Sequence, residues 1–171
     1  YLMLNAVQIK RCISKLQRLC ETLDPMVFEK VCSLPCEKFE TPEQYHTVPD
    51  VQYTPVDSGD MWGGEGVYCW FKTQYTVPEE LAGRPLFLRP EVGGYEAMLW
   101  VDGKPMGTYA TKIVVTGHGN HYCDMIAKNS TAGQTLELAV EFYAGHYVMG
   151  ESPFQTRPHP DFRFAYKTMD L

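Results

Sequence analysis

Apolar and polar residues alternate with a period of two along much of the chain after residue 66, and that pattern sets the fold class. Val67, Cys69, Phe71, Thr73, Tyr75 and Val77 fall on one side of an extended segment and Lys72, Gln74 and Thr76 on the other, the signature of a half-buried strand. Pro78 stops it. Leu86 to Val92 and Tyr95 to Val101 make two further runs, separated by Gly93-Gly94, where a reversal or bulge is open to residues without a Cβ. Asp102-Gly103 suits a two-residue type I′ turn, which needs positive φ at both central positions. Trp100-Val101 is therefore expected to fold back on Lys104-Pro105-Met106. Leu136, Leu138, Val140 and Phe142 alternate with Glu137, Ala139, Glu141 and Tyr143. This is the cleanest amphipathic strand in the chain, and its place is central to a sheet. Short strands are also expected at Lys112 to Thr116 and at the alternating Phe162, Phe164 and Tyr166, with proline-rich coil from Glu151 to Asp161 between them.

The first third of the chain follows a different period. Leu2, Ala6, Ile9, Ile13, Leu16, Cys20 and Leu23 recur at spacings of four and three, with Lys10, Arg11, Lys15, Gln17 and Arg18 off that stripe, which predicts an amphipathic helix of about 20 residues. Asp24 and Pro25 suit the start of a short second helix, Met26 to Val31. Residues 1–33 thus read as a helical segment whose apolar surface packs on a domain or brings copies together as a homo-oligomer. Residues 34–60 carry Pro35, Pro42, Pro49 and Pro55 and few alternating runs, and read as an extended linker with room for an edge strand between Val48 and Val56. Residues 61–171 complete the picture as a β-sandwich domain. The expected fold is mainly β, an antiparallel sandwich preceded by an N-terminal α-helix.

Composition narrows the function classes. A chain of 171 residues with 44% hydrophobic and 13% aromatic content is ample for one packed domain plus an appendage. The net charge of -6 without a Lys/Arg-rich face argues against nucleic acid as partner, because phosphates demand concentrated positive charge. No apolar run reaches the length of a membrane span, so no membrane partner is expected. The six cysteines are scattered from Cys12 to Cys123 and form no compact disulfide framework, which favours a cytoplasmic location.

Candidate chemistry is sparse. Glu65, Glu91, Glu96 and Asp124 stand singly on strand faces or in loops, whereas glycoside hydrolysis wants two carboxyls facing each other. His118, His121 and Asp124 have a spacing that suits metal ligands, but a glycine-flanked loop gives the rigidity of neither a structural nor a catalytic zinc site. No metal is assigned there. Cys32 and Cys36 lack a second ligand pair. Gly63-Gly64-Glu65-Gly66 and Gly117-His118-Gly119 precede no helix and read as turns rather than phosphate loops. Trp70 and Trp100 sit within strands and read as core. Trp62, in a glycine-rich stretch, is a candidate to stack on a sugar or to touch a neighbouring domain, as are His118, Asn120 and His121.

One stretch carries a family resemblance. Val77 to Gly83 (Val-Pro-Glu-Glu-Leu-Ala-Gly), the Leu86-Phe87-Leu88 strand and Leu99 to Gly107 (Leu-Trp-Val-Asp-Gly-Lys-Pro-Met-Gly) resemble the accessory sandwich found beside glycoside hydrolase catalytic domains. The flanks Asp60 to Gly64 and Glu137 to His146 resemble the N-terminal region of the family 38 α-mannosidases. The resemblance implies a galactose-binding-like jelly roll and a structural role beside a zinc-dependent, retaining catalytic domain of the same chain, C-terminal to this region. It implies no catalytic residue and no cofactor here, because nothing in these residues matches the nucleophile or the zinc ligands of that family. An autonomous carbohydrate-binding module is the alternative.

Overall fold

The structure, a computed structural model, describes residues 5–94, 96–110, 121–122, 124–145 and 163–171. It divides into a helical unit, Tyr1–Val31, and a sandwich unit, Cys32–Leu171.

Helix α1 spans Ala6–Val27. Its start is fixed by a capping box in which the Asn5 side chain accepts from the Gln8 N–H at 2.9 Å and the Gln8 side chain accepts from the Asn5 N–H at 2.9 Å. Ile9, Ile13, Leu16 and Leu23 are exposed along one stripe. The second helix expected from Met26 does not form separately, since α1 runs through Asp24 and Pro25 and ends with Phe28 in an extended conformation. Pro25 falls in the last turn, where the one backbone hydrogen bond it cannot donate lies beside an end that frays in any case. No helix among the described residues is long and apolar enough to cross a membrane.

The sandwich unit is built from short strands: β1 Cys36–Thr41, β2 Thr54–Val56, β3 Met61–Trp62, β4 Tyr68–Thr76, β5 Leu86–Phe87, β6 Arg89–Glu91 and β7 Glu96–Val101. There follow β8 Lys104–Ala110, β9 His121–Tyr122, β10 Met125–Ala127, β11 Thr135–Tyr143, β12 Phe164–Ala165 and β13 Thr168–Asp170. Among the described residues one antiparallel sheet has the order β2-β1-β4-β11-β7-β8-β9, and β10-β5, β12-β3 and β13-β6 are separate two-stranded pairs. The stretch expected to be a linker is therefore part of the sheet. Its prolines sit where no ladder donor is needed: Pro55 lies on the edge strand β2, while Pro35 and Pro42 flank β1. β11 is central as its alternation predicts, paired to β4 on one side and β7 on the other. The turn between β7 and β8 also matches, with Asp102 at φ 50° and Gly103 at φ 72°.

The run from Leu86 to Val92 and the closing run near the end each split in two, because successive short pieces take different partners. β5 pairs with β10 and β6 with β13, while β12 pairs with β3. The expected strand at Lys112 to Thr116 and coil at Glu151 to Asp161 lie outside the described residues. One core holds both layers: Cys69, Phe71, Leu99, Leu138, Val140 and Phe142 from the large sheet meet Trp62, Leu86, Leu88, Ile126, Tyr166 and Met169. Each such side chain contributes about 1.5–3 kcal/mol on burial.

Candidate functional site

The other face of the large sheet gathers polar and aromatic side chains. Strand alternation puts Lys72, Trp70 and Tyr68 of β4, Ala139, Glu141 and Tyr143 of β11, and Trp100, Met98 and Glu96 of β7 on this outer side, in rows set by the register. Ala139 lies between Lys72 and Trp100, Glu141 between Trp70 and Met98, and Tyr143 between Tyr68 and Glu96. The small side chain of Ala139 leaves room for the indoles of Trp70 and Trp100, whose ring centroids lie 5.7 Å apart. Phe39, Tyr45, Val48 and Tyr53 pack over these three residues as a satellite core. Beyond that cover the face opens into a cavity of about 400 Å³ whose lining includes Gln44, Tyr68, Glu96, Met98, Glu141 and Tyr143. The Tyr68 and Tyr143 rings are neighbours at 4.7 Å with an interplanar angle of 32°.

This face is incompletely satisfied. Glu141 Oε1, Trp70 Nε1 and Trp100 Nε1 are buried polar atoms without a hydrogen-bond partner. They belong to three adjacent strands. Leaving such atoms unpaired costs about 1–3 kcal/mol each, so the clustering of all three on one face is informative. Burial also pushes the Glu141 carboxyl up to about 7 from 4.5. The sign of the consequence follows directly. A carboxyl with a raised folded-state pKa holds its proton more tightly when folded, so stability from this group is full below about pH 4.5 and falls as pH rises through about 7. Glu141→Gln is expected to flatten that loss and to stabilise the sandwich at pH 8 by about 1–2 kcal/mol, allowing for screening by water. Urea titrations of both proteins at pH 5 and pH 8 check this, and an equal pH slope in the two counts against it.

The residues singled out in the sequence fare differently. Trp62 is wholly buried, its indole N–H donating to the Val92 carbonyl at 2.6 Å, and its ring packs on Phe71, Phe142 and Phe164 at 5.8, 5.8 and 5.1 Å between centroids. It presents no face to a sugar or a neighbouring domain, which corrects the expectation for this residue. The glycines beside it turn the chain, but β3 delivers the indole into the core. His118 and Asn120 lie outside the described residues, and His121 is described only as part of the backbone of β9. Asp124 is buried and receives Arg89 Nη1 at 2.9 Å, an ion pair that accounts for its carboxylate. Among the described residues no three His, Cys, Asp or Glu side chains converge as a metal site. Glu141, Tyr68 and Tyr143 escaped sequence reading as a site, since alternating Glu137, Glu141 and Tyr143 look like an ordinary solvated strand face.

A large antiparallel sheet packed through one face on short strand pairs is the architecture of a jelly roll. The family described as "Alpha-mannosidase, jelly roll domain" matches residues 29–169, and the chain belongs to it. Alpha-mannosidase 2C1 of Mus musculus is 32% identical over 82 residues, covering 47% of this chain and 8% of that protein. The Homo sapiens enzyme of the same name is 34% identical over 70 residues, covering 40% of this chain and 7% of that protein. The matched segment is thus under a tenth of these relatives. Among solved structures, a Ruminococcus gnavus beta-glucuronidase aligns over 84% of this chain and 28% of its own, with a TM-score of 0.52 and 12% identity, a likeness of fold alone.

Proposed function

We propose that this chain is a non-catalytic accessory domain of an α-mannosidase-like glycoside hydrolase, giving structural support to a catalytic domain C-terminal to it. The observation that carries this reading is the match of residues 29–169 to a domain named for α-mannosidases, joined to relatives more than ten times the length of the matched segment. The parent reaction on this reading is retaining hydrolysis of terminal α-mannosides at a zinc held by the catalytic domain, and no residue described here takes a step in it. A reducing, cytoplasmic setting goes with it, supported by the thiols of Cys12, Cys20, Cys36 and Cys69. Burial raises the pKa of Cys36 and Cys69, as suits inert packing thiols.

Two measurements on the purified chain test the proposal. An aryl α-mannoside should show no turnover above background, and calorimetry against mannose and oligomannosides should show no saturable heat. Turnover that survives removal of contaminating hydrolases would overturn the non-catalytic role. Saturable binding would move the assignment to an autonomous carbohydrate-binding module.

A further inference from the structure

The layout of helix α1 selects a particular partner for its exposed side. Ile9, Leu16 and Leu23 alternate with Ile13, Cys20 and Val27 at spacings of three and four, which makes a heptad seam along the helix. Cys12, Leu19 and Met26 follow the same repeat on one flank of the seam, and Lys10, Gln17 and Asp24 on the other. One flank is therefore apolar and the other polar. Every seam residue from Ile9 to Val27 is exposed, and so are Cys12, Leu19 and Met26.

The charges are ordered along the axis as well. Lys10, Arg11, Lys15 and Arg18 occupy the first part of the helix, Glu21 and Asp24 the last. No acidic residue stands in the first turn and no basic one in the last. This order runs against the helix dipole, which favours acids at the N-terminus and bases at the C-terminus. An isolated helix gains nothing from it.

We infer that α1 pairs with α1 of a second copy of this chain in an antiparallel coiled coil. The inference concerns assembly and does not rest on the accessory-domain reading. Antiparallel alignment sets each basic half beside the acidic half of the other copy and opposes the two dipoles, so the charge order that costs one helix attracts two. It also brings like flanks together. When Ile13 stands level with Leu23 of the second copy, Leu16 stands level with its Cys20 and Ile9 with its Val27; Leu19 then meets its own counterpart on the apolar flank, and Gln17 its own on the polar one. Parallel alignment fails on both counts. It joins opposite flanks, which puts Leu19 against the position of Asp24, and it lays basic half on basic half. The helix of 22 residues is about 33 Å long, and covering the seam and apolar flank of both copies clears the about 1,000 Å² that a specific interface needs.

Sedimentation equilibrium of the chain under reducing conditions is expected to show a monomer–dimer equilibrium. Leu16→Asp puts a carboxylate into the seam of each copy and should weaken the dimer at least a hundredfold, with the near-ultraviolet dichroism of the sandwich tryptophans unchanged. Lys10→Glu and Glu21→Lys should each weaken it about tenfold at low salt, since attraction turns to repulsion at two symmetric sites. Both substitutions suit the dipole of an isolated helix, so weaker pairing cannot be put down to a lost helix. The double variant Lys10→Glu/Glu21→Lys should recover the wild-type affinity. These two residues lie about three turns apart and cannot meet within one helix, so recovery reports a contact between antiparallel copies.

A wild-type chain that stays monomeric at hundred-micromolar concentration would overturn the inference and leave the accessory-domain reading untouched. So would a dimer that Leu16→Asp leaves intact, because the contact would then lie elsewhere. Failure of the double variant to recover, or capture of the dimer by a Cys20–Cys20 disulfide on oxidation, would overturn the antiparallel alignment. A monomer that instead sediments with vesicles of anionic phospholipid would give this face to a membrane surface.

Discussion

Trp62→Ala is expected to lower the unfolding free energy of the sandwich by about 4–6 kcal/mol, a large share of the about 5–15 kcal/mol that holds an ordinary domain folded. The estimate has two parts. Truncating a fully buried tryptophan costs about 3–5 kcal/mol in lost transfer energy and cavity, and here the ring is enclosed by Phe71, Phe142 and Phe164. Removing the indole N–H also strips the Val92 carbonyl of the donor it meets at 2.6 Å, which adds about 1 kcal/mol or more if nothing replaces it. Trp62→Phe is the intermediate case, since it keeps an aromatic ring in the core and loses the donor with a smaller part of the buried surface; a drop of about 1–3 kcal/mol is expected there. Denaturant titration of the three proteins decides the matter. If Trp62→Ala unfolds within about 1 kcal/mol of wild type, the residue is not the core plug described here. A loss of sugar binding in this variant would carry no information about a sugar site, because the wholly buried ring acts on core packing.

The same residue shows where sequence reading reaches its limit. Alternation within a segment tells which residues share a face, and it placed β11 at the centre of the sheet and turned the chain at Asp102-Gly103 correctly. The start of β11 and that turn even confirm one another, since the Asp102 N–H donates to the Glu137 carbonyl at 2.8 Å and the Glu137 N–H to Asp102 Oδ1 at 3.0 Å. Alternation does not tell which face of a sheet a loop will cover. Trp70 and Trp100 are buried, but under Phe39, Tyr45, Val48 and Tyr53 on the side away from the main core. The prolines around β1 suggested a linker because local proline content is visible, while the pairing of Phe39 with Trp70 and of Lys38 with Phe71 is a long-range fact. The outer cavity was hidden for the same reason. Glu96, Tyr68 and Glu141 become neighbours only through the register of three strands, and a glutamate between apolar residues in sequence gives no sign that its oxygen will be sealed from water.

Gly93→Ala is expected to destabilise the sandwich by about 2–5 kcal/mol, and it tests how the second layer closes over Trp62. Gly93 has φ 73°, a left-handed conformation that L side chains rarely adopt, at a cost of about 1–2 kcal/mol. A Cβ added there would also stand 2.7 Å from Phe164 Cβ and 3.0 Å from Phe164 Cδ1. The nearer atom is the root of the phenylalanine side chain, so a rotamer change cannot move it, and β12 itself has to shift. Overpacking of that kind adds about 1–3 kcal/mol. Because Phe164 pairs with Trp62 across β12 and β3, the displacement acts directly on the ring at the centre of the core. Gly103→Ala supplies the comparison, since Gly103 has nearly the same φ, 72°, but no atom within 4 Å of the added Cβ. It should therefore show the conformational cost alone, about 1–2 kcal/mol. Denaturant midpoints of the two variants measured side by side isolate the steric contribution as their difference. Equal losses at the two glycines would mean that β12 does not lie against Gly93 in solution, and the closure of the sandwich by its last strands would have to be redrawn.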